Sequence, residues 1–550
     1  MDDTPVTGLP QVGELGALDY VVIALMLLIS SGIGLYYRCT GGRQATLQEY
    51  MMADRSMSVL PVAFSLMASF MSAITLLGLV QEMYMYGTMF IMINISYIIA
   101  TPIVCYFYLP VFFRLQKTSV YEYLELRFGY PTRLCASIAF SLQMILYMGI
   151  VLYAPALALS AVTGLSRNLC ILVVGSVCTF YSALGGIKAV LITDVMQSLL
   201  MFAAVGIVLV TGLQSFSVSE VFQIAGDSGR LQFFVLDPDP RVRTTLWTQV
   251  IGGCFTYLSL YGVNQTQVQR LLTIRSLRKS QCAVWLEWPI LMVLSLTTSF
   301  AGLLIYAHYK DCDPLLAGII HNSDQLLPQY VVQFANSTPG ITGLFIAGVF
   351  SGSLSTVSSS LNSLSAVTIS DYIEPLIRKL RPGTKVALPA HFAPLISVCF
   401  GIVCIGIAFL TAVLGSGVLQ ASLTVFGAVG GPLLGLFTLA MTTTRANEKG
   451  ALPGLILGLF LSLWIGFGQP KPAPEYMPRS TDGCYTDNYT TIATTLATTA
   501  TTTDTTTYTP PPGDDFNFLH EMYAISYAWI GAIGFFITYI IGLLLSILMA

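Results

Sequence analysis

Charge is what this chain is short of. Only 10% of its 550 residues are Asp, Glu, Lys or Arg, whereas a soluble globular protein carries about 25%. So few charges cannot coat a water-facing surface of this size. Histidine is nearly absent: His308, His321, His391 and His520 are the 4 in the chain, none in an HExxH pattern. The 11 cysteines are scattered through apolar runs, without a CxxC pair or metal-ligand spacing. There is no GxSxG elbow and no Walker loop, so an enzyme is not expected: no nucleophile stands paired with a base. A net charge of −3 argues against a nucleic-acid partner. The first 17 residues contain no Lys or Arg, the opposite of a cleavable signal.

What fills the chain is hydrocarbon. Apolar residues make up 55% of it, and the mean hydropathy is +0.73. A helix needs about 20 apolar residues to cross a bilayer, and runs of that length predict about 13 spans. They fall near 18–37, 59–80, 87–110, 133–160, 168–186, 189–212, 244–268, 282–308, 339–370, 389–412, 415–440, 450–468 and 522–548. The expected fold class is therefore an all-α polytopic membrane protein. With the N-terminus outside, only Arg167, Arg230, Arg241, Arg243, Lys310, Lys471 and Arg479 of the 25 Lys and Arg face outward. Positive loops stay inside, so the N-terminus is expected outside and the C-terminus in the cytoplasm.

Four regions follow from this pattern: an outer N-terminal segment 1–17, a core 18–468, an outer loop 469–521, and a final span with a short end, 522–550. The loop carries a Thr run ending in Pro (485–512), which cannot build a core and reads as a glycosylatable stalk. Asn336 and Asn488 head sequons in outer loops and are the expected glycosylation sites. Those at Asn94 and Asn264 fall within spans. Cys312 and Cys484 are the cysteines of the outer loops; a disulfide between them or two free thiols are both allowed.

Polar residues inside a membrane are costly and mark function. Asp194 and Glu287 are the acids expected well inside the spans, with no Lys or Arg there. Hydroxyls, amides and carbonyls are left as polar equipment. The densest stretch is SGSLSTVSSSLNSLS, 351–365, either a small-residue packing face or, at Ser355-Thr356 after Gly352, a set of oxygens for a hard cation such as Na⁺. A second stretch, 61–78, carries Ser65, Ser69, Ser72 and Thr75; its periodicity alone favours an unbroken helix. In a third, Tyr261 to Arg270, Gln265 and three more amides are either buried or mark a helix end emerging into the cytosol. A fourth, 182–197, makes a Gly185-Gly186 turn before Asp194, which either pairs with Lys188 or the backbone or attracts a cation.

At these residues the chain resembles the sodium/solute symporter family. The resemblance rests on Gly185-Gly186-x-x-Ala-Val-x-x-Thr-Asp-x-x-Gln197, on Tyr121-Glu-Tyr-Leu-Glu-Leu-Arg-Phe128 and on Leu361-Asn-Ser363. Ser69-Phe-Met-Ser-Ala73, Leu146-Tyr-Met-Gly-Ile-Val-Leu-Tyr-Ala-Pro155, Tyr261-Gly-Val-Asn-Gln265 and Leu354-Ser-Thr-Val-Ser358 point to its monocarboxylate, multivitamin and iodide branch. The likeness extends over roughly 17–468. It implies a LeuT-type fold of five spans repeated inverted, about 59–212 and 244–440, with the first helix of each repeat interrupted near mid-membrane. It also implies a sodium site on the carbonyls of Ala68, Met71 and Gly352 and the hydroxyls of Ser355 and Thr356. A substrate or second-sodium site would involve Ser72, Thr75 and Tyr147, with Tyr261 and Ser422 on the wall. Thr75 stands where the iodide-type pattern has Gln, which suits a monocarboxylate. The Thr-rich loop and short C-terminus depart from the family pattern.

The expected function is sodium-coupled import of a small organic anion, a short monocarboxylate or a carboxylated vitamin such as biotin or pantothenate, at the plasma membrane. Na⁺ is the co-transported ion, the bilayer the other partner, and no oligomer is required. The alternatives are a transport-inactive nutrient sensor or a sodium channel on the same fold, and iodide, sugar or choline as substrate.

Overall fold

The computed structural model describes residues 15–40, 47–184, 186–334, 339–381, 389, 392–411, 417–472, 474–484 and 518–549. The expected glycosylation sites Asn336 and Asn488, the Thr-rich run and Gly185 lie outside the described residues. Among the described residues the chain is helical, with one isolated bridge between Ser56 and Ile274. Lipid cannot satisfy a free peptide group, so long apolar segments close their hydrogen bonds within a helix.

In chain order the long helices are α1 (Ala17–Cys39), the pair α2 (Val59–Phe70) and α3 (Ala73–Tyr86), α4 (Thr88–Leu115), α5 (Tyr130–Thr163), α6 (Arg167–Leu184) and α7 (Ile187–Leu213). They continue with α8 (248–263), the short α9 (Gln265–Leu271), α10 (Leu277–Tyr309), α11 (Ile341–Leu380), α12 (Phe392–Thr411), α13 (Val418–Thr442), α14 (Glu448–Phe467) and α15 (Tyr527–Leu548). Ten are long and apolar enough to cross a membrane, and the bent pair α2–α3 makes 11. The two other expected spans fall on α6, an apolar helix at the short end of the range, and on α8–α9, where π-helical turns and an interruption divide the apolar run.

Both sets of five, α2 to α7 and α8 to α13, open on an interrupted helix. α2 and α3 meet at 56°. Met71 (ψ 92°) and Ser72 (ψ −177°) are extended, and the Ser72 hydroxyl caps the new helix by accepting from Ile74 N at 3.2 Å. Serine is a strong N-cap, so the residue that breaks the helix also restarts it. In the second set Asn264 is extended (ψ 129°) and its side chain accepts from Thr266 N at 2.9 Å. The unbroken helix favoured by periodicity over 61–78 is therefore corrected: the cap chemistry of Ser72 overrides the apolar pattern.

The interior is built around these breaks. α2 packs against α7 and α10, α3 against α10, and α11 against α5 and α7. Gly352 on α11 shows how close they come: a Cβ there would lie 2.8 Å from Ala73 N and 3.0 Å from the Ser72 carbonyl carbon. α14 and α15 pack on each other at the periphery. Residues 474–484 cross the end of α3: Met477 N donates to Met85 O at 2.9 Å, Arg230 Nη2 to Pro478 O at 3.0 Å, and Cys312 is bonded to Cys484.

Charge inside the bundle exceeds the sequence expectation. Arg270 (2% exposed) and Arg133 (6%) are buried, as are Glu82 and Asp371 beside Asp194 and Glu287. The reason is local. The C-terminal flank of α9 is covered by neighbouring chain, with Met57 N bonded to Thr273 O and Gln269 to Met51 O, so Arg270 does not emerge into water. Arg133 opens α5 but is pinned to Asp371 and Glu125.

Asp324, in the connection between α10 and α11, is also buried, and among the described residues no cation pairs with it. Its Oδ2 accepts from Val418 N at 3.2 Å, and burial pushes its pKa up to about 7, against the pull of that N–H. The folded state therefore holds this proton more tightly than the unfolded chain, whose Asp titrates near 3.9. Its stabilising contribution is complete below about pH 4 and is lost as pH rises through about 7. Thermal midpoints of the detergent-solubilised protein should fall between about pH 4 and 7, and Asp324→Asn should flatten that slope. An unchanged slope in the variant would refute the assignment.

Candidate functional site

The break in α2–α3 removes the turn that would have used the carbonyls from Ala68 to Met71. α11 lays its hydroxyls against that gap. Thr356 Oγ1 lies 3.5 Å from Ala68 O, 3.4 Å from Ser69 O and 3.0 Å from Gly352 O. Ser355 Oγ points to the other side of the same turn and donates to Asp194 Oδ1 at 2.7 Å. Of the five expected sodium ligands, Gly352, Ser355 and Thr356 share one turn of α11 and Ala68 O faces Thr356, while Ser355 Oγ is turned to Asp194 and Met71 is the C-cap of α2. Among the described residues no three His, Cys, Asp or Glu side chains converge on a metal. Hydroxyl and carbonyl oxygens are hard, uncharged donors, suited to a weakly held alkali cation that must leave again.

Asp194 resolves the alternatives left open for it. Its partners are not Lys188 but Ser65, Ser355 and Arg270, whose Nη2 is 3.8 Å from Oδ2. Arg270 is held in turn by Ser65 Oγ (2.8 Å), Thr266 O (3.0 Å) and Ser359. A buried ion pair is tolerable only when its remaining donors and acceptors are satisfied, and here α2, α9 and α11 supply them. Sequence reasoning placed Arg270 outside the spans and left Ser65, Ser69 and Ser359 without a role. Their i, i+4 spacing at 65/69 and 355/359 and the amide-rich run before Arg270 were the available signals. Gln265 is also buried: it accepts from Val120 N at 2.8 Å and donates to Thr118 O at 2.7 Å, tying α9 to the loop before the Tyr121–Phe128 motif.

The residues expected around a solute are only partly gathered. Tyr147 on α5 directs its hydroxyl to Ser72 Oγ at 3.5 Å, and its ring lies 4.5 Å from that of Phe426 on α13. Thr75, one turn further along α3, is half-buried. Ser422 donates to Leu419 O of its own helix at 2.8 Å. Tyr261 sits elsewhere, its hydroxyl 2.7 Å from Glu287 Oε1, and its ring packed on Tyr257 and Phe70. Ser72, Thr75 and Tyr147 thus form one wall at the break, while Tyr261 belongs to an adjoining aromatic cluster.

Charged clamps lie at both ends of the bundle. At one end, Arg243 grips Glu82 through two nitrogens (3.0 and 2.8 Å), bonds Gln420 at 2.6 Å and lies 3.8 Å over the Tyr86 ring. At the other end, Arg133 joins Asp371, which also accepts from Ser119 at 2.8 Å. Bidentate guanidinium–carboxylate contacts of this kind fix helix ends with directional bonds.

Comparison with known proteins fits this geometry. The family model of the sodium:solute symporter family matches residues 50–458. A Drosophila melanogaster protein provisionally named a sodium-dependent multivitamin transporter is 52% identical, covering 98% of this chain and 87% of its own. The sodium-coupled monocarboxylate transporter 1 of Homo sapiens is 42% identical (98% and 88%), and the sodium-dependent multivitamin transporter of Oryctolagus cuniculus 39% (96% and 82%). A Na⁺-coupled sialic acid symporter superposes with a TM-score of 0.76 over 97% of this chain and 98% of that one, at 24% identity, which supports the LeuT-type fold. Sodium is accordingly the co-transported ion, and the chain is a multi-pass membrane transporter, not an enzyme. It belongs to the sodium:solute symporter family.

Proposed function

We propose that this symporter imports a small organic anion with an apolar end, a short monocarboxylate or a carboxylated vitamin, across the plasma membrane. The observation that carries the reading is the wall at the break: Ser72, Thr75 and Tyr147 offer hydroxyls beside the Phe426 ring, with no free cation among them. A sugar would call for several directed amide and carboxylate partners. The charge of Arg270 is already spent on Asp194, so bound Na⁺ supplies the positive field that holds a carboxylate, and solute and sodium bind cooperatively. The names of the monocarboxylate and multivitamin transporters are consistent with this chemistry. The reading includes about 13 spans, the N-terminus outside, a core over 18–468, an outer loop over 469–521, and transport by a single chain.

The test is sodium-driven uptake of labelled pyruvate into proteoliposomes, challenged by lactate, biotin, iodide, glucose and choline. Lactate or biotin should inhibit. Inhibition by glucose or choline with no effect of any carboxylate would overturn the substrate class. Binding without accumulation would instead indicate a sensor.

A further inference from the structure

Glu287 takes no part in the sodium or solute sites described above, and its surroundings are unusual. It lies on α10 with no exposed surface. Tyr261 donates to its Oε1 at 2.7 Å and Tyr257 to its Oε2 at 3.3 Å; Tyr257 in turn contacts Thr101 at 3.1 Å. Tyr97 and Cys105 of α4 face it electrostatically. α2 presents the Leu66 carbonyl, 3.4 Å from the Tyr261 hydroxyl. Among the described residues no Lys, Arg or His pairs with Glu287, and none of the groups just named carries a charge at neutral pH. Arg270 interacts with Tyr261, but its charge is committed to Asp194.

A carboxylate in such a place either finds a cation or is neutralised. The cage is filled by two phenol rings stacked 4.3 Å apart and flanked by Tyr97. The cation that fits between their hydroxyls and the carboxylate without displacing them is a proton. We propose that Glu287 is a reversible proton-binding site and that its proton opposes the binding of sodium. Two features of the geometry couple the ions. When Glu287 is ionised, its negative charge in the low-dielectric bundle favours a cation nearby, so sodium binds more tightly. When a proton from water settles on Oε1, the new O–H donates to the Tyr261 oxygen. The Tyr261 O–H is then free to turn to Leu66 O, on the half-helix that carries Ala68 and Met71. No bond other than O–H forms or breaks, and the proton returns to water when sodium binds.

The inference rests on the symport reading, and the experiment separates the two. Purified protein in lipid nanodiscs, in weakly buffered solution near neutral pH, is titrated with sodium while proton release is recorded; uptake is measured on the same preparation in proteoliposomes. Wild type should release protons on adding sodium, and its half-saturating sodium concentration should rise severalfold, up to about tenfold per pH unit for strict competition, as pH falls. Glu287→Gln, permanently neutral, should still drive uptake but need the higher sodium concentration at every pH and release no proton. Sodium-driven uptake without proton release in wild type, or equal release in the variant, overturns the proposal and leaves the symporter intact. Absence of sodium-driven uptake from wild type would instead count against the symport reading. If Glu287→Gln does not fold, two measurements stand in for it. Infrared difference spectra of wild type should show a protonated-carboxyl C=O band lost on sodium addition, and Glu287→Asp should move the pH midpoint of that band. A band absent from wild type, or a midpoint unmoved by the aspartate, overturns it equally.

Discussion

Arg270→Met should abolish sodium-driven uptake and destabilise the protein by about 3–5 kcal/mol, the range seen when one partner of a buried ion pair is removed. The guanidinium bonds Ser65 and Thr266 and lies 3.8 Å from Asp194. Without it the carboxylate stays buried with only two serine hydroxyls, and Ser359 keeps only Ser355 O and Ser69 as partners. Neutralising both ends by Arg270→Met with Asp194→Asn should recover most of the stability, because no charge is then left unpaired. It should not recover transport, because Asp194 also orients Ser355, one of the hydroxyls expected to hold sodium. Arg270→Lys is expected to fall between the two: it keeps the charge, but an ammonium cannot reach three helices with a planar fork. Thermal midpoints in detergent read the first effect and vesicle uptake the second. A wild-type midpoint for Arg270→Met would show that the pair carries no structural weight.

Arg270 also marks where the sequence was hardest to read. Hydropathy locates spans by their average, so it assigns the flank of a helix to water whenever a charge follows the apolar run. Whether that flank is exposed depends on chain brought from elsewhere, here residues 51–57 and 116–121. The same reasoning missed Asp371 and Glu82, whose partners Arg133 and Arg243 are 238 and 161 residues distant. By contrast, the interrupted helices were legible once the Ser-Phe-Met-Ser-Ala and Tyr-Gly-Val-Asn-Gln motifs suggested the family, because Ser72 and Asn264 are the residue types that cap a restarted helix. Periodicity alone could not find the first: Ser72 lies in an apolar run that continues past the break. Tyr261 is expected among the hydroxyls of the solute wall, whereas the π-helical turn at its position aims its hydroxyl at Glu287.

Ser355→Ala with Thr356→Ala should raise the half-saturating sodium concentration by at least tenfold, while the solute site at Ser72 and Tyr147 keeps its geometry. Thr356 lies within 3.5 Å of three carbonyl oxygens and Ser355 holds Asp194. Removing both hydroxyls deletes two of about five oxygens around the ion, and each good hydrogen-bond-like contact to a charge is worth about 1.5–3 kcal/mol. Even the lower figure, once, is a tenfold loss. The consequence reaches past affinity. One Na⁺ entering yields about 1.4 kcal/mol per tenfold gradient and about 1.4 more at roughly −60 mV, which together support on the order of 100-fold accumulation of a neutral solute. A variant that binds solute but rarely binds sodium cannot use that energy, so it should exchange labelled solute across the membrane without concentrating it. Ser358→Ala is the matched control: it bonds the Ser355 carbonyl of its own helix at 3.1 Å and faces none of the α2 oxygens in the site, so its loss should leave the sodium requirement within about twofold, as expected for a weak intrahelical bond. Wild-type sodium dependence in the double variant would remove Ser355 and Thr356 from the ion's coordination. The ion would then have to be held by the break's carbonyls and Asp194 alone.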